Sequence, residues 1–303
     1  MKAVSFISVL ALAALPLSCR GAKADADMTG RNFVVTTPES VATATLDLVI
    51  FNSASGRKTK SGFLFREDGT SGRFSARMGI PEGTSSAICY NFDMRNSFVD
   101  GMGAFDSFRI YTNDVSEAVR QRCMMNSGER LCHTPDAVIC GICKGIDGAA
   151  TGDCLIEAAD ILEHWHIEVK VDGAQYISSA GALIGGMAPD VYPGDGFRSG
   201  KSGCVWTALE VGGNCVKGDF STFGVDSSAQ ESLTISIIDN SGNPILYTAS
   251  STTLFADARR SGTYSVTPAE IIVVPAPQQE PSSGGAFNPT MGEWKTDQAE
   301  III

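Results

Sequence analysis

From Val41 to Phe51 apolar and polar residues alternate: Ala42, Ala44, Leu46, Leu48 and Ile50 fall on one side, and Thr43, Thr45, Asp47 and Val49 on the other. A period of two marks a strand with one face in a core, because successive side chains leave a pleated backbone on opposite sides. After a turn at Ser53-Ala54-Ser55-Gly56 the apolar pattern resumes at Phe63-Leu64-Phe65. Asp68-Gly69 and Ser71-Gly72 separate it from Phe74 to Met78, and Ala87 to Phe92 and Phe105 to Thr112 continue the series. Short apolar runs divided by glycine-bearing turns, with no helical period between them, predict an antiparallel sheet.

The rhythm changes at Asp114, a helix cap placed before Val115, Ala118 and Val119, with Gly128 as the stop. A cysteine-dense loop follows. Asp153 opens a second predicted helix in which Leu155, Ala159 and Leu162 share a side, with strand throughout as the competing reading. From Trp165 the period is again two: Trp165, Ile167, Val169 and Val171 face inward, and His164, His166, Glu168 and Lys170 outward. Asp172-Gly173 predicts a hairpin into Gln175-Tyr176-Ile177. Residues 180–203, rich in glycine and small side chains, predict a long loop. Beyond them Val205 to Val211 forms a strand that ends in a Gly-Gly-Asn turn. Leu233, Ile235 and Ile237 alternate into the turn Asp239 to Asn243, Ile245 to Thr248 returns, and Thr263 to Thr267 and Ile271 to Val274 complete that unit.

These elements predict a mainly β chain, an antiparallel β-sandwich-like fold interrupted by a disulfide-rich helical and loop insertion at about 113–160. The β-rich domain spans 28–275, in one unit or two. The tail at 276–303 is rich in Pro, Gln, Ser and Gly, has neither period, and is expected to be disordered.

Composition changes the picture in two ways. The 303 residues carry a net charge of −11, which argues against nucleic acid, whose phosphates demand clustered Lys and Arg. The nearest basic run, Arg57-Lys58-Thr59-Lys60, reads as a solvated turn. Second, Lys2, the apolar run Val4 to Leu17 and the small-x-small sites at Ala22-Lys23-Ala24 and Ala24-Asp25-Ala26 predict an export signal over 1–24. Lipidation at Cys19 is the alternative, disfavoured by Pro16 in the preceding motif. That run is shorter than the roughly 20 residues a membrane helix needs, and no later segment reaches that length. The mature protein is therefore expected in a secreted or extracytoplasmic location.

An oxidising compartment gives the cysteines their meaning. Of nine, Cys19 leaves with the signal, and an even number remains, enough for four disulfides. Cys204 and Cys215 stand apart from the others and flank one strand and its turn, so they are expected to pair with each other. Cys89, Cys123, Cys132, Cys140, Cys143 and Cys154 have about 15 possible pairings, among which sequence does not choose. Cys140-Gly141-Ile142-Cys143 has the spacing of a thiol–disulfide active site, but the helix that would lower a thiol pKa there is missing. A zinc site from Cys132, Cys140, Cys143 and Cys154 has suitable ligand types but no second tight pair.

His164-Trp165-His166 is the sharpest chemical signal. Alternate strand residues project to one side about 6–7 Å apart, so two imidazoles can converge on one Zn²⁺. His133 is the other imidazole available as a third ligand, and an open fourth position would hold an activated water. The plainer reading has two polar residues lining the solvent face of a strand with Trp165 in the core. The segment Asp195 to Ser202 departs from a phosphate loop, since Asp195 would repel the phosphate. Ala180 to Met187 is apolar enough to suggest a membrane-inserting loop, though a buried strand end is more ordinary. The turns at Asp147 and Asp239 lack the closing acid of a calcium loop. The leading functional reading is a non-catalytic exported binding or structural protein of the adhesion or surface type, without cofactor, whose partner is an extracellular protein or glycan. The alternative is a metal-dependent hydrolase or lyase centred on His164 and His166.

Overall fold

In the computed structural model residues 29–122, 130–199, 202–225, 232–250, 262–266 and 271–272 are described. The expected signal at 1–24, Cys19, Cys123, Gly128 and the tail at 276–303 lie outside them. Five strands come first: β1 (Thr29–Thr36), β2 (Thr45–Asn52), β3 (Lys58–Arg66), β4 (Arg73–Ile80) and β5 (Thr84–Asn91). Then follow β6 (Ser97–Asp100), β7 (Arg109–Thr112), the short helix α1 (Glu117–Arg122), β8 (Leu131–His133), β9 (Ile139–Asp147) and β10 (Cys154–Asp160). The second half holds β11 (Glu163–Asp172), β12 (Ile177–Met187), β13 (Asp190–Tyr192), β14 (Arg198–Ser199) and β15 (Gly203–Gly212). It continues through β16 (Cys215–Thr222), β17 (Ser232–Asp239), β18 (Pro244–Ser250), β19 (Gly262–Val266) and β20 (Ile271–Ile272).

The mainly β prediction holds, but the layers differ from a plain sandwich. The strands of the first half close into a barrel in the order β1-β10-β9-β5-β2-β3-β4. Leu46, Leu48 and Ile50 point into it, as the period of two in β2 requires, and meet Phe33, Leu64 and Phe74. The opposite face of β2 is buried too. Val49 and Phe51 join Ile88 and Tyr90 of β5 in a second apolar layer with Phe105, Phe108, Val191 and Phe223. Phe51 meets the rings of Phe105 and Phe108 edge-on, at 5.5 and 6.3 Å between centroids. That layer joins the barrel to the second half.

The helical and loop insertion at 113–160 is not formed as expected. Among its described residues, apart from α1 and the short β8, the regular structure is β9 and β10, and both are staves of the barrel. In β10 the inward residues are Cys154, Ile156 and Ala158, whereas Leu155, taken as part of a helical face, is 69% exposed. The segment has apolar residues at both spacings. Barrel closure selects the strand, because β10 fills the gap between β1, which it pairs in parallel, and β9.

The second sheet runs β18-β17-β12-β15-β16-β11-β19, with β8 added to β15 and β20 to β11. Its strands surround one cluster that includes Trp165, Ile167, Val169, Ile184, Val205 and Phe220. The expected loop at 180–203 is replaced in its first part by the eleven-residue β12, hydrogen-bonded on both sides to β15 and β17. Here glycine reflects crowding. A Cβ on Gly185 would lie 2.4 Å from the Ser232 hydroxyl, and one on Gly181 would lie 3.1 Å from the Trp206 indole nitrogen. The hairpin predicted at Asp172-Gly173 is absent as well, because β11 pairs with β16 and β19 while a 3₁₀ turn at Ala174–Tyr176 delivers the chain to β12. The β17–β18 hairpin forms as predicted. A small sheet, β14-β13-β7-β6, completes the described strands.

Candidate ligand-binding groove

β11 alternates as its sequence demands, with Trp165, Ile167, Val169 and Val171 buried and His164, His166, Glu168 and Lys170 turned outward. What that outward row faces is set by β16, which runs antiparallel beside it and places His164 opposite Ser221, Trp165 opposite Phe220 and His166 opposite Asp219. Inside, Trp165 and Phe220 stack with centroids 5.8 Å apart and planes 10° from parallel. Outside, each imidazole is tied down. His164 Nε2 donates to Asp160 Oδ2 at 2.8 Å, and its Nδ1 lies 3.0 Å from the Ser221 hydroxyl. His166 Nδ1 donates to Asp219 Oδ1 at 2.8 Å. A carboxylate only accepts, so each pairing fixes which ring nitrogen carries hydrogen. It leaves His166 Nε2 on the Glu168 side, 3.8 Å from Glu168 Oε2 and beyond hydrogen-bond length.

The facing wall is Thr134-Pro135-Asp136 with Asn96, and together these elements enclose a cavity of about 480 Å³. Thr134 Oγ1 accepts the Ser221 N–H at 3.3 Å, and Asn96 Nδ2 donates to the Thr134 carbonyl at 3.4 Å. On the far side of Asp136 lies a second cavity of about 390 Å³ lined by Asn91, Asp93, Arg95 and Asp160 among others. Asn91 supports this wall from within the barrel. Its side chain accepts the Ile139 N–H at 2.8 Å and donates to the Ala137 carbonyl at 2.6 Å, where Ala137 holds a left-handed φ of 50°. Replacing Asn91 by Ala strands a buried donor and a buried acceptor, so urea denaturation should register a loss of about 1–3 kcal/mol.

The structure does not assemble the metal site considered for His133, His164 and His166. Both nitrogens of His164 are engaged, and His133 sits on β8 opposite Trp206, one residue outside the groove wall. Among the described residues no three His, Cys, Asp or Glu side chains are placed to hold a metal ion. The four-cysteine zinc set is likewise not assembled. Cys140 and Cys143 do not make a redox couple with each other. Residues three apart on a strand leave opposite faces, so Cys140 packs in the layer outside the barrel and Cys143 against the barrel interior. Burial raises the Cys140 thiol well above its usual range.

The expected Cys204–Cys215 bridge is also corrected. The two are not bonded to each other, and Cys215 lies opposite Gly212 at the turn end of the β15–β16 hairpin. Cys204 is at the other end of β15, about 26 Å away at about 3.3 Å per residue. A disulfide needs Cα atoms within about 7 Å.

A family model described as "Domain of unknown function (DUF5119)" matches residues 38–196, which is more than half of the chain. The chain belongs to the DUF5119 family. That match contains the barrel strands from β2 to β10 and, in β11, the two groove histidines. No curated protein matches this DUF5119 chain. Among solved structures, a candidate adhesin from Bacteroides ovatus ATCC 8483 is similar at 13% identity and a TM-score of 0.64, covering 82% of this chain and 94% of that one. A second candidate adhesin from Bacteroides ovatus is similar at 8% identity and a TM-score of 0.50, covering 80% and 90%. At such identities the likeness is one of fold.

Asp219, Ser221, Thr134 and Asp136 complete the groove of the DUF5119 chain, with Asp160 holding His164 from beside it, and none was legible as a site residue beforehand. For β16 a signal existed: Val216, Phe220 and Thr222 are buried while Lys217, Asp219 and Ser221 are not. Gly218 interrupts the apolar side of that pattern and hides it.

Proposed function

We propose that this protein is an exported, non-catalytic binding protein of the surface or adhesion type, and that the groove between β11 and the Thr134–Asp136 wall takes a neutral, hydroxyl-rich partner such as a glycan chain. The observation that carries the class is the likeness of fold to a candidate adhesin over 82% of this chain. The groove itself supports a ligand of that chemistry. Its walls offer hydroxyl, amide, imidazole and carboxylate groups at fixed positions. Asp136 and Asp219 oppose an anionic ligand. A cavity of about 480 Å³ lies within the usual size range of small-ligand sites.

The test is binding of the purified mature chain to arrayed neutral glycans, beside the double variant His166→Ala, Asp136→Ala. Neither side chain belongs to the core, so the variant should stay within about 1 kcal/mol of wild-type stability while glycan binding falls at least about tenfold, the loss of about 1.4 kcal/mol expected for charge-assisted hydrogen bonds. Unchanged binding in the double variant would remove the groove from the proposal. A stoichiometric metal ion that disappears in His166→Ala would replace the binding reading with the metal-dependent hydrolase or lyase.

A further inference from the structure

Two thiols meet where the barrel wall is irregular. Cys143 lies on β9 and Cys154 opens β10, with Cys154 Sγ 3.8 Å from Cys143 Sγ. The β9–β10 ladder runs from Asp160↔Ile139 to Ala158↔Gly141, so both cysteines stand beyond its paired stretch. On its other edge β9 shifts register against β5 between Cys143 and Ile146. Cys143 is partly exposed, whereas Cys154 is buried in the barrel interior. We infer that Cys143 and Cys154 form a dithiol that closes to a disulfide, riveting β9 to β10 where backbone pairing lapses.

The neighbouring thiols do not compete. Cys140 faces the layer outside the barrel; Cys89 shares the barrel interior with Cys143 and Cys154, but burial pushes its thiol up to about 12, so it stays protonated where Cys143 reacts. Cys132 and Cys204 are close along the β8–β15 ladder, yet Cys204 shares its face with Leu131, and Cys132, the next residue, leaves the opposite one. Cys215 is remote at its hairpin turn.

The chemistry follows from the same contact. The Cys154 thiol donates to Cys143 sulfur and, with Arg31 nearby, lowers the Cys143 thiol below its usual range, so Cys143 is the nucleophile. Its thiolate attacks a disulfide of an oxidising partner, either a small-molecule disulfide or a disulfide-bearing oxidoreductase. One partner sulfur leaves as thiolate, and a mixed disulfide forms on Cys143. Cys154, whose proton is retained by its hydrogen bond to Cys143, then loses the reason to keep it. Its sulfur attacks Cys143, the second partner sulfur leaves and takes up the proton, and the partner is reduced by two electrons.

The experiment is a peptide map of the purified wild-type chain under non-reducing conditions, before and after incubation with oxidised glutathione at pH 8. We expect one cross-linked peptide pair joining Cys143 to Cys154, and a thermal midpoint about 5–10 °C above that of the reduced protein. Cys143→Ser should lose both the cross-link and the redox dependence of the midpoint. Before oxidation, iodoacetamide should label Cys143 ahead of Cys154 and Cys89, with a rate that rises with pH. A link from Cys143 to Cys89, a glutathione adduct persisting on Cys143, or both thiols remaining fully alkylatable after oxidation would each overturn the inference.

Discussion

Trp165→Ala should destabilise the protein by about 3–5 kcal/mol, while His166→Ala, one residue along the same strand, should cost less than about 1 kcal/mol. Trp165 is buried in the second-half core, stacked on Phe220 and surrounded by apolar side chains from several strands. Truncating it to a methyl group removes the largest ring of that cluster and leaves a cavity that flanking β strands cannot collapse to fill. His166 faces the groove, and its hydrogen bond to Asp219 is made at the surface, where water replaces it at little cost. Urea unfolding of the two variants against wild type measures the contrast. Equal losses would mean that the imidazole row, and not the indole beneath it, holds β11 to β16.

Phe51→Ala is the second large effect, again about 3–5 kcal/mol. Phe51 is fully buried outside the barrel, in the layer that bonds it to the second half, and has edge-on contacts to Phe105 and Phe108. Such aromatic pairs contribute about 0.5–1.5 kcal/mol each beyond the area they bury. Phe63 on neighbouring β3 is the control. It points outward and is 53% exposed, so Phe63→Ala should stay within about 0.5 kcal/mol of wild type. Urea midpoints decide the matter. A Phe51→Ala loss no larger than that of Phe63→Ala would show that the barrel does not depend on this layer.

The groove was half legible. The outward row His164, His166 and Glu168 followed from period alone and is where the alternation placed it. Its partners were not. Asp219 is 53 residues downstream of His166, and Ser221 is 57 from His164. Only the β11–β16 register brings them opposite. The same limit applies to the cysteines: spacing along the chain suggested Cys204 with Cys215, whereas strand direction separates those two and brings Cys143 beside Cys154.

Side-chain alternation is a property of one extended segment, so the sequence by itself determined the β class, the inward faces of β2, β11 and β17, and the turn of the β17–β18 hairpin. Which strands lie side by side depends on burying faces contributed by distant segments, and only the tertiary structure decided that. Local preference left residues 154–160 divided between helix and strand, and the gap between β1 and β9 resolved it. Local preference left residues 180–187 between a loop and a buried strand end, and a strand hemmed in by Ser232 and Trp206 has room there for glycine and little else. In both places the deciding energy is packing between residues far apart in the chain, which no window of sequence contains.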